Sequence, residues 1–303
     1  MENRVLISGG TGFVGSYLSE YLINRGYKIS ILSRKLDQNT EDIHYYIWDV
    51  ENNKIDKNCL HNVQIIIHLA GENVAASRWS DKRKTQLLES RLNSTLLLYN
   101  LLERETNTVN TFISASATGI YGSSTTDHVY REKDLLGADF LADVCLNWEA
   151  QVFKIKDLGI RTVVLRTGLV LAKDNGALAK MIIPFKLGLG SALASGKQYT
   201  PWIHIEDLCK MYLYALENST MENAYNAVVG DDINNEEFSK TLSKVLKKPF
   251  FMPRVPKFIL TVVFGEMAVI LTEGSRVSSE KIRKEGFKFS YPRLIKALQN
   301  LLA

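Results

Sequence analysis

The sequence predicts an α/β fold, a doubly wound parallel sheet with a smaller C-terminal substrate lobe. Three observations predict it: short apolar runs alternate with amphipathic stretches, a glycine-rich turn follows the first run, and the rhythm changes near residue 170. The runs are RVLIS (4–8), KISILS (28–33), HYYIW (44–48), VQIIIHL (63–69), TFISAS (111–116) and RTVVLR (161–166). Runs that are apolar along nearly their whole length belong to strands covered on both faces, the habit of parallel sheets. The first run opens a helix over Val14 to Arg25. Later helices are expected near 82–104 and over DFLADVCLNWEAQ (139–151), where Phe140, Leu141, Val144, Cys145 and Trp148 recur at three- and four-residue steps. Residues four apart share a face, so Leu141, Cys145 and Glu149 form one row. Beyond residue 170 come PFKLGLGSALASGKQYTPW (184–202), a helix starting at IEDL and a strand AYNAV (224–228), then a region with no clear alternation. The apolar stretch FILTVVFGEMAVIL (258–271) falls short of the roughly 18 to 20 residues that cross a bilayer. With Gly265 and Glu266 inside it, it reads as a buried or interface helix. The expected division is a nucleotide-binding unit over 1–170, completed by about 202–228, and a smaller lobe from 171–201 and 229–303.

With 303 residues, 46% hydrophobic, the chain can bury a large core. Its net charge of +4, from 37 basic and 33 acidic residues, lacks the footprint of a nucleic-acid binder. Clusters such as Arg83–Lys84 and Lys247–Lys248 read as solvated helix faces. Cys59, Cys145 and Cys209 are odd in number and lack metal-ligand spacing, which argues against disulfides and metal and for a reducing compartment. No signal peptide precedes VLIS, so a cytoplasmic location is expected, with no membrane association.

The first strand ends in GGTGFVG, placing Gly9, Gly12 and Gly15 as G-x-x-G-x-x-G at the mouth of a helix. A strand, this loop and a helix in succession turn unpaired N–H groups toward a pyrophosphate, the Rossmann arrangement. The end of the second strand reads ILSRK. An acid there would bind a ribose 2′-hydroxyl, whereas cations accommodate a 2′-phosphate. Ser33, Arg34 and Lys35 precede the nearest acid, Asp37, so NADP(H) is preferred over NAD(H).

GGTGFVG, WDV (48–50), HLAG (68–71), SASATGIYG (114–122) and WIHIEDL (202–208) together resemble the extended epimerase/dehydratase branch of the short-chain dehydrogenase/reductase superfamily. HLAGENVA, Arg78–Trp79, LRTGLVL, GALAKM, GEMA (265–268) and GFKFSYP (286–292) are similar to a subgroup of predicted NAD(P)-dependent epimerases of unassigned substrate with a family-specific C-terminal domain. The resemblance covers essentially the whole chain. It implies that Gly9, Thr11, Gly12, Phe13, Val14 and Gly15 hold the pyrophosphate, Ser33, Arg34 and Lys35 the 2′-phosphate, and Asp49 and Val50 the adenine. Leu69, Ala70, Gly71 and Cys145 would line the nicotinamide side, and Ser116 would meet the reacting oxygen. It also implies a homodimer paired through the helices near 82–104 and 139–157.

In that branch the helix after the serine carries Tyr-x-x-x-Lys, the tyrosine as proton donor and the lysine as its supporting cation. Here the two positions fall on Leu141 and Cys145, and Gly119 stands as an insertion between Ser116 and Tyr121. Leucine has no proton to give, and a thiol carries no positive charge. Two readings follow. The first is an enzyme on a small-molecule carbonyl or carbinol substrate with relocated acid/base chemistry, Ser116 and Tyr121 being the catalytic candidates and Cys145 or Glu72 further participants. The second is a dinucleotide-binding sensor or scaffold without turnover. Polar and aromatic residues expected around the cleft, namely Arg78, Trp79, Trp202 and His204, favour the enzyme. Each has a bland reading too: His204 ordering its loop, Trp79 in the core, Arg166 paired with an acid.

Overall fold

The computed structural model of the chain describes residues 3–230 and 232–302. Its strands are β1 (Arg4–Ser8), β2 (Lys28–Ser33), β3 (Ile43–Asp49), β4 (Lys54–Ile55), β5 (Val63–His68), β6 (Thr111–Ala117), β7 (Val129–Tyr130), β8 (Arg161–Thr167), β9 (Leu169–Leu171), β10 (Trp202–His204), β11 (Asn223–Ala227) and β12 (Arg276–Val277). Its helices are α1 (Phe13–Ile23), α2 (Asp81–Arg104), α3 (Phe140–Phe153), α4 (Gly176–Lys186), α5 (Ile205–Glu217), α6 (Asn235–Val245), α7 (Lys257–Phe264), α8 (Val269–Thr272), α9 (Glu280–Lys284) and α10 (Leu294–Leu302).

Eight strands form the main sheet in the order β11-β8-β6-β5-β1-β2-β3-β4, parallel except for the β3–β4 pair. The chain builds outward from β1 through β2 and β3, then returns to β1's other side as β5. That reversal leaves a crevice above the carboxyl ends of β1 and β5, where ligands of such sheets bind. Every residue of β1 is buried, which is why RVLIS carries no polar alternation. One core lies under α1, α5 and the C-terminal helices, with Leu18, Leu22, Trp202, Met211, Phe238 and Leu298. The other lies under α2 and α3, with Leu98, Leu101, Phe112, Trp148 and Val152.

The C-terminal stretch differs from its sequence reading. Residues 258–271 are not one buried helix. Gly265, at a φ of 63°, ends α7, and a single 3₁₀ turn separates it from α8. Only glycine adopts such a backbone without strain. Much of α7 is exposed, Phe258 at 68% and Val262 at 71%. Among the described residues, no helix is long and apolar enough to cross a membrane.

Candidate active site

The glycine loop packs as a dinucleotide cradle requires. A Cβ on Gly15 would lie 2.1 Å from the Gly9 carbonyl oxygen, and one on Gly9, where φ is 73°, would lie 3.0 Å from the Ala70 nitrogen. Gly12 is the N-cap of α1 and offers no side chain, and no acid stands in the first turn. The first backbone bond of the helix is Ser16 N–H to Gly12 O at 2.9 Å, leaving the N–H groups of Phe13, Val14 and Gly15 for an incoming anion. Thr11 and Gly12 are exposed at this mouth. The N-terminus of α4 closes over it, for Gly176 lies so near the Phe13 ring that an added Cβ would come within 2.8 Å.

At the end of β2, Ser33 Oγ accepts from the Lys35 amide at 3.3 Å, while Arg34 and Lys35 are exposed. Asp49, ending β3, accepts from the Asn52 side chain at 2.7 Å and its amide at 3.1 Å, and these bonds hold its carboxyl below the usual range. Val50 packs on the α2–α3 core. On the other side of β1, the Leu69 amide donates to Ser8 O at 3.0 Å, so Leu69, Ala70 and Gly71 extend β5 along the crevice. His68 anchors this end: Ser8 Oγ lies 2.6 Å from Nδ1, and Nε2 lies 3.1 Å from Thr95 Oγ1.

Ser116, next to last in β6, lies directly opposite Arg166 of β8. Its hydroxyl donates to Glu149 Oε1 at 2.7 Å. Arg166 grips Glu149 in a two-point pair, Nε to Oε1 at 2.9 Å and Nη2 to Oε2 at 2.8 Å. Nη1 of the same arginine donates to the Tyr121 hydroxyl at 3.0 Å, and that hydroxyl donates to Asn226 Oδ1 at 2.6 Å. Burial works against the arginine's charge, but the bonds and charge of Glu149 outweigh it and raise the Arg166 pKa. Ser116 and Tyr121 thus belong to one buried run, Ser116–Glu149–Arg166–Tyr121–Asn226. The phenol that the sequence reading set against the reacting oxygen has its proton on Asn226, and burial pushes its pKa up to about 12 despite the nearby Arg166.

The departures at Gly119, Leu141 and Cys145 meet in one contact. Gly119 lies in the 3₁₀ turn Thr118–Tyr121, where an added Cβ would stand 3.4 Å from Leu141 Cβ and 3.9 Å from Cys145 Sγ. Cys145 is 5% exposed, among Ile120, Tyr121 and Val228. Burial first, and then the Glu149 charge, push its thiol up to about 12. A cavity of about 770 Å³ opens beyond Tyr121, lined by Tyr130, His128, Leu135 and Leu136 among others. The Tyr121 and Tyr130 rings face each other across 5.2 Å.

Other residues singled out in the sequence hold the frame. His204 caps α5, its Nδ1 accepting from the Glu206 amide at 3.1 Å, and stacks on Tyr291 at 3.9 Å. Trp202 is fully buried. Trp79 packs on Phe140 at 5.0 Å, and Arg78 donates to the carbonyls of Val262 and Val263, tying the loop after β5 to the end of α7. Glu72 accepts from Arg83 at 2.9 Å, and Lys84 pairs with Glu266, so the Arg83–Lys84 cluster is not simply a solvated face. Residues the sequence reading passed over are Arg91, Asn226 and Glu132. The bonds Arg91–Glu72, Asn226–Glu132 and Asn226–Tyr121 span 19, 94 and 105 positions and leave no local signal.

Comparison with known proteins agrees with this frame. Residues 5–229 match the NAD dependent epimerase/dehydratase family, and residues 255–301 match a domain of unknown function, DUF1731. The epimerase family protein YfhF of Bacillus subtilis is 33% identical over 300 residues, covering 99% of this chain and 98% of its own. The mouse epimerase family protein SDR39U1 is 32% identical over 303 residues, covering 99% of this chain and 100% of its own. The crystal structure of human SDR39U1 (isoform 2) with NADPH superposes with a TM-score of 0.87 at 30% identity, covering 98% of both chains. A UDP-N-acetylglucosamine 4-epimerase from Bacillus cereus shares the fold, with a TM-score of 0.77 at 20% identity over 99% of this chain and 98% of that one. With the dinucleotide cradle, the sheet topology and the matched C-terminal domain, the chain belongs to the NAD dependent epimerase/dehydratase family.

Proposed function

We propose that the chain is an NADP(H)-dependent oxidoreductase or epimerase-like enzyme acting on a small carbonyl or carbinol substrate with a non-standard acid/base set. The observation that carries this reading is the run Ser116–Glu149–Arg166–Tyr121 at the carboxyl ends of β6 and β8, on the same edge of the sheet as the α1 N-terminus that follows β1. Support for the cofactor choice comes from Ser33 at the end of β2 with the exposed Arg34 and Lys35, and from the human relative crystallised with NADPH. Gly9, Thr11, Gly12, Phe13, Val14 and Gly15 would hold the pyrophosphate, Asp49 and Val50 the adenine. Leu69, Ala70, Gly71 and Cys145 would wall the nicotinamide half. The bound cofactor supplies hydride transfer; the protein supplies orientation and a place for the proton.

Ser116 turns its proton toward Glu149, which leaves its lone pairs for a substrate hydroxyl. As a carbinol is oxidised, Ser116 accepts that hydroxyl's proton and passes its own to Glu149; reduction runs the other way. Arg166 orients Glu149, and Tyr121 acts through Arg166 as a positioning residue. The test follows NADPH absorbance with a panel of carbonyl substrates. Ser116→Ala is expected to abolish turnover and Tyr121→Phe to lower kcat, both leaving NADPH affinity nearly unchanged. Undiminished rates in both variants would remove the run from the chemistry. A second reading, a dinucleotide-binding sensor or scaffold, is favoured by the apolar contact of Leu141 and Cys145 with Gly119. Tight NADPH binding with silence across the whole panel would support it.

A further inference from the structure

We propose that Arg91, on α2, is the cation of the nicotinamide half of the cleft, placed to hydrogen-bond the ribose or anionic groups that enter beside Gly71. The inference rests on the cofactor reading above. Arg91 points from α2 toward the loop after β5, where Nη1 donates to Leu87 O at 2.7 Å and Nη2 to Glu72 O at 3.0 Å. Its guanidinium lies 5.1 Å from the Trp148 ring centre. A Cβ on Gly71 would stand 3.2 Å from its Cζ and 3.4 Å from its Nε, so Gly71 lets the guanidinium back directly onto the crevice wall. Gly71 follows β5, on the far side of β1 from Ser33 and Arg34. In a doubly wound sheet the two halves of a dinucleotide lie on either side of this reversal, which makes this the nicotinamide half.

Three features separate Arg91 from a structural arginine. First, its protein acceptors are neutral carbonyls. Among the described residues no carboxylate oxygen lies within 4.0 Å of it, and the nearby Glu72 carboxylate is engaged by Arg83 at 2.9 Å. A partly buried cation without an anionic partner keeps its field for whatever enters the site. Second, its Nε donates to no protein acceptor among the described residues and is not sealed from solvent. Third, its charge acts on the Cys145 thiol of α3 and on the His68 ring at the end of β5. The α3 row of Leu141, Cys145 and Glu149 carries no cation, and the guanidinium at Gly71 comes from α2.

The test compares two probes on the full chain: NADPH, and 2′,5′-ADP, which carries the adenosine and both its phosphates but no nicotinamide riboside. Arg91→Met is expected to weaken NADPH by about ten- to a hundredfold, the worth of one charge-assisted hydrogen bond. It should leave 2′,5′-ADP unchanged, and Arg91→Lys should recover part of the loss. Gly71→Ala, which pushes a methyl against the guanidinium without altering the α2 core, should show the same selectivity if Arg91→Met fails to fold. Equal losses for both probes would make Arg91 a clamp on the Glu72 loop and overturn the proposal, as would unchanged NADPH affinity. A native chain that binds neither probe overturns the cofactor reading itself, and the proposal with it.

Discussion

Lowering the pH from 7 to 5 should destabilise the fold through His68. The ring is wholly buried at the end of β5. Thr95 Oγ1 donates its own proton to Arg91 O at 2.7 Å, so it accepts from Nε2–H, and Nδ1 accepts from Ser8. This assigns the neutral Nε2–H tautomer, and a second ring proton on Nδ1 would have to turn the Ser8 hydroxyl from donor to acceptor inside the core. Burial, helped by the Arg91 charge, brings the His68 pKa down to about 3. An unfolded histidine titrates near 6.5, so between these values the unfolded chain binds the extra proton and stability falls with pH. The contribution is complete above about pH 6.5 and is lost progressively toward pH 3. At about 1.4 kcal/mol per unit, the step from pH 7 to 5 costs about 2 kcal/mol. Urea denaturation followed by tryptophan fluorescence reads it, with His68→Asn as the control. The variant is expected to be less stable at pH 7, yet its loss between pH 7 and 5 should be smaller by about 2 kcal/mol. An identical loss in both proteins would refute the neutral, protein-bound ring.

Two further outcomes follow from the buried run and from the departures beside it. Arg166→Met strands the Glu149 carboxylate, which is 5% exposed, and should cost about 3 to 5 kcal/mol in urea denaturation. Adding Glu149→Gln to that variant should restore part of the loss, because the amide is neutral; no recovery would mean that the pair is not the source of the deficit. Cys145→Lys forces an ammonium into the apolar contact with Gly119 and Ile120, near the Arg91 charge, and should lower thermal stability while failing to tighten NADPH. Tighter cofactor binding in that variant would show that the site opens to the cleft.

The strands and the cradle were legible because their signals are local. RVLIS is buried at all five positions, and GGTGFVG needs no side chains where Gly15 presses on Gly9. The helix over 139–151 and its apolar row were equally readable; the row's meaning was not. Gly119, Leu141 and Cys145 stand out one by one in the sequence, and their mutual contact is a product of the fold. The Tyr121–Asn226 bond spans 105 positions, and a hydroxyl beside a serine in sequence says nothing of where its proton goes. The stretch 258–271 misled because apolar composition alone does not distinguish a buried helix from an exposed one, and a single positive-φ glycine divides it. The two-residue pair β7–β12, joining 129–130 to 276–277, is too short to leave any period in the sequence.

The most direct test of the central claim is titration of the purified chain with NADPH and NADH, repeated on Arg34→Ala. The expected result is tighter binding of NADPH by the native chain, and a loss in the variant that falls on NADPH far more than on NADH. Equal affinity for the two dinucleotides in the native chain, or equal losses in the variant, would contradict the assignment of Ser33, Arg34 and Lys35 to a 2′-phosphate.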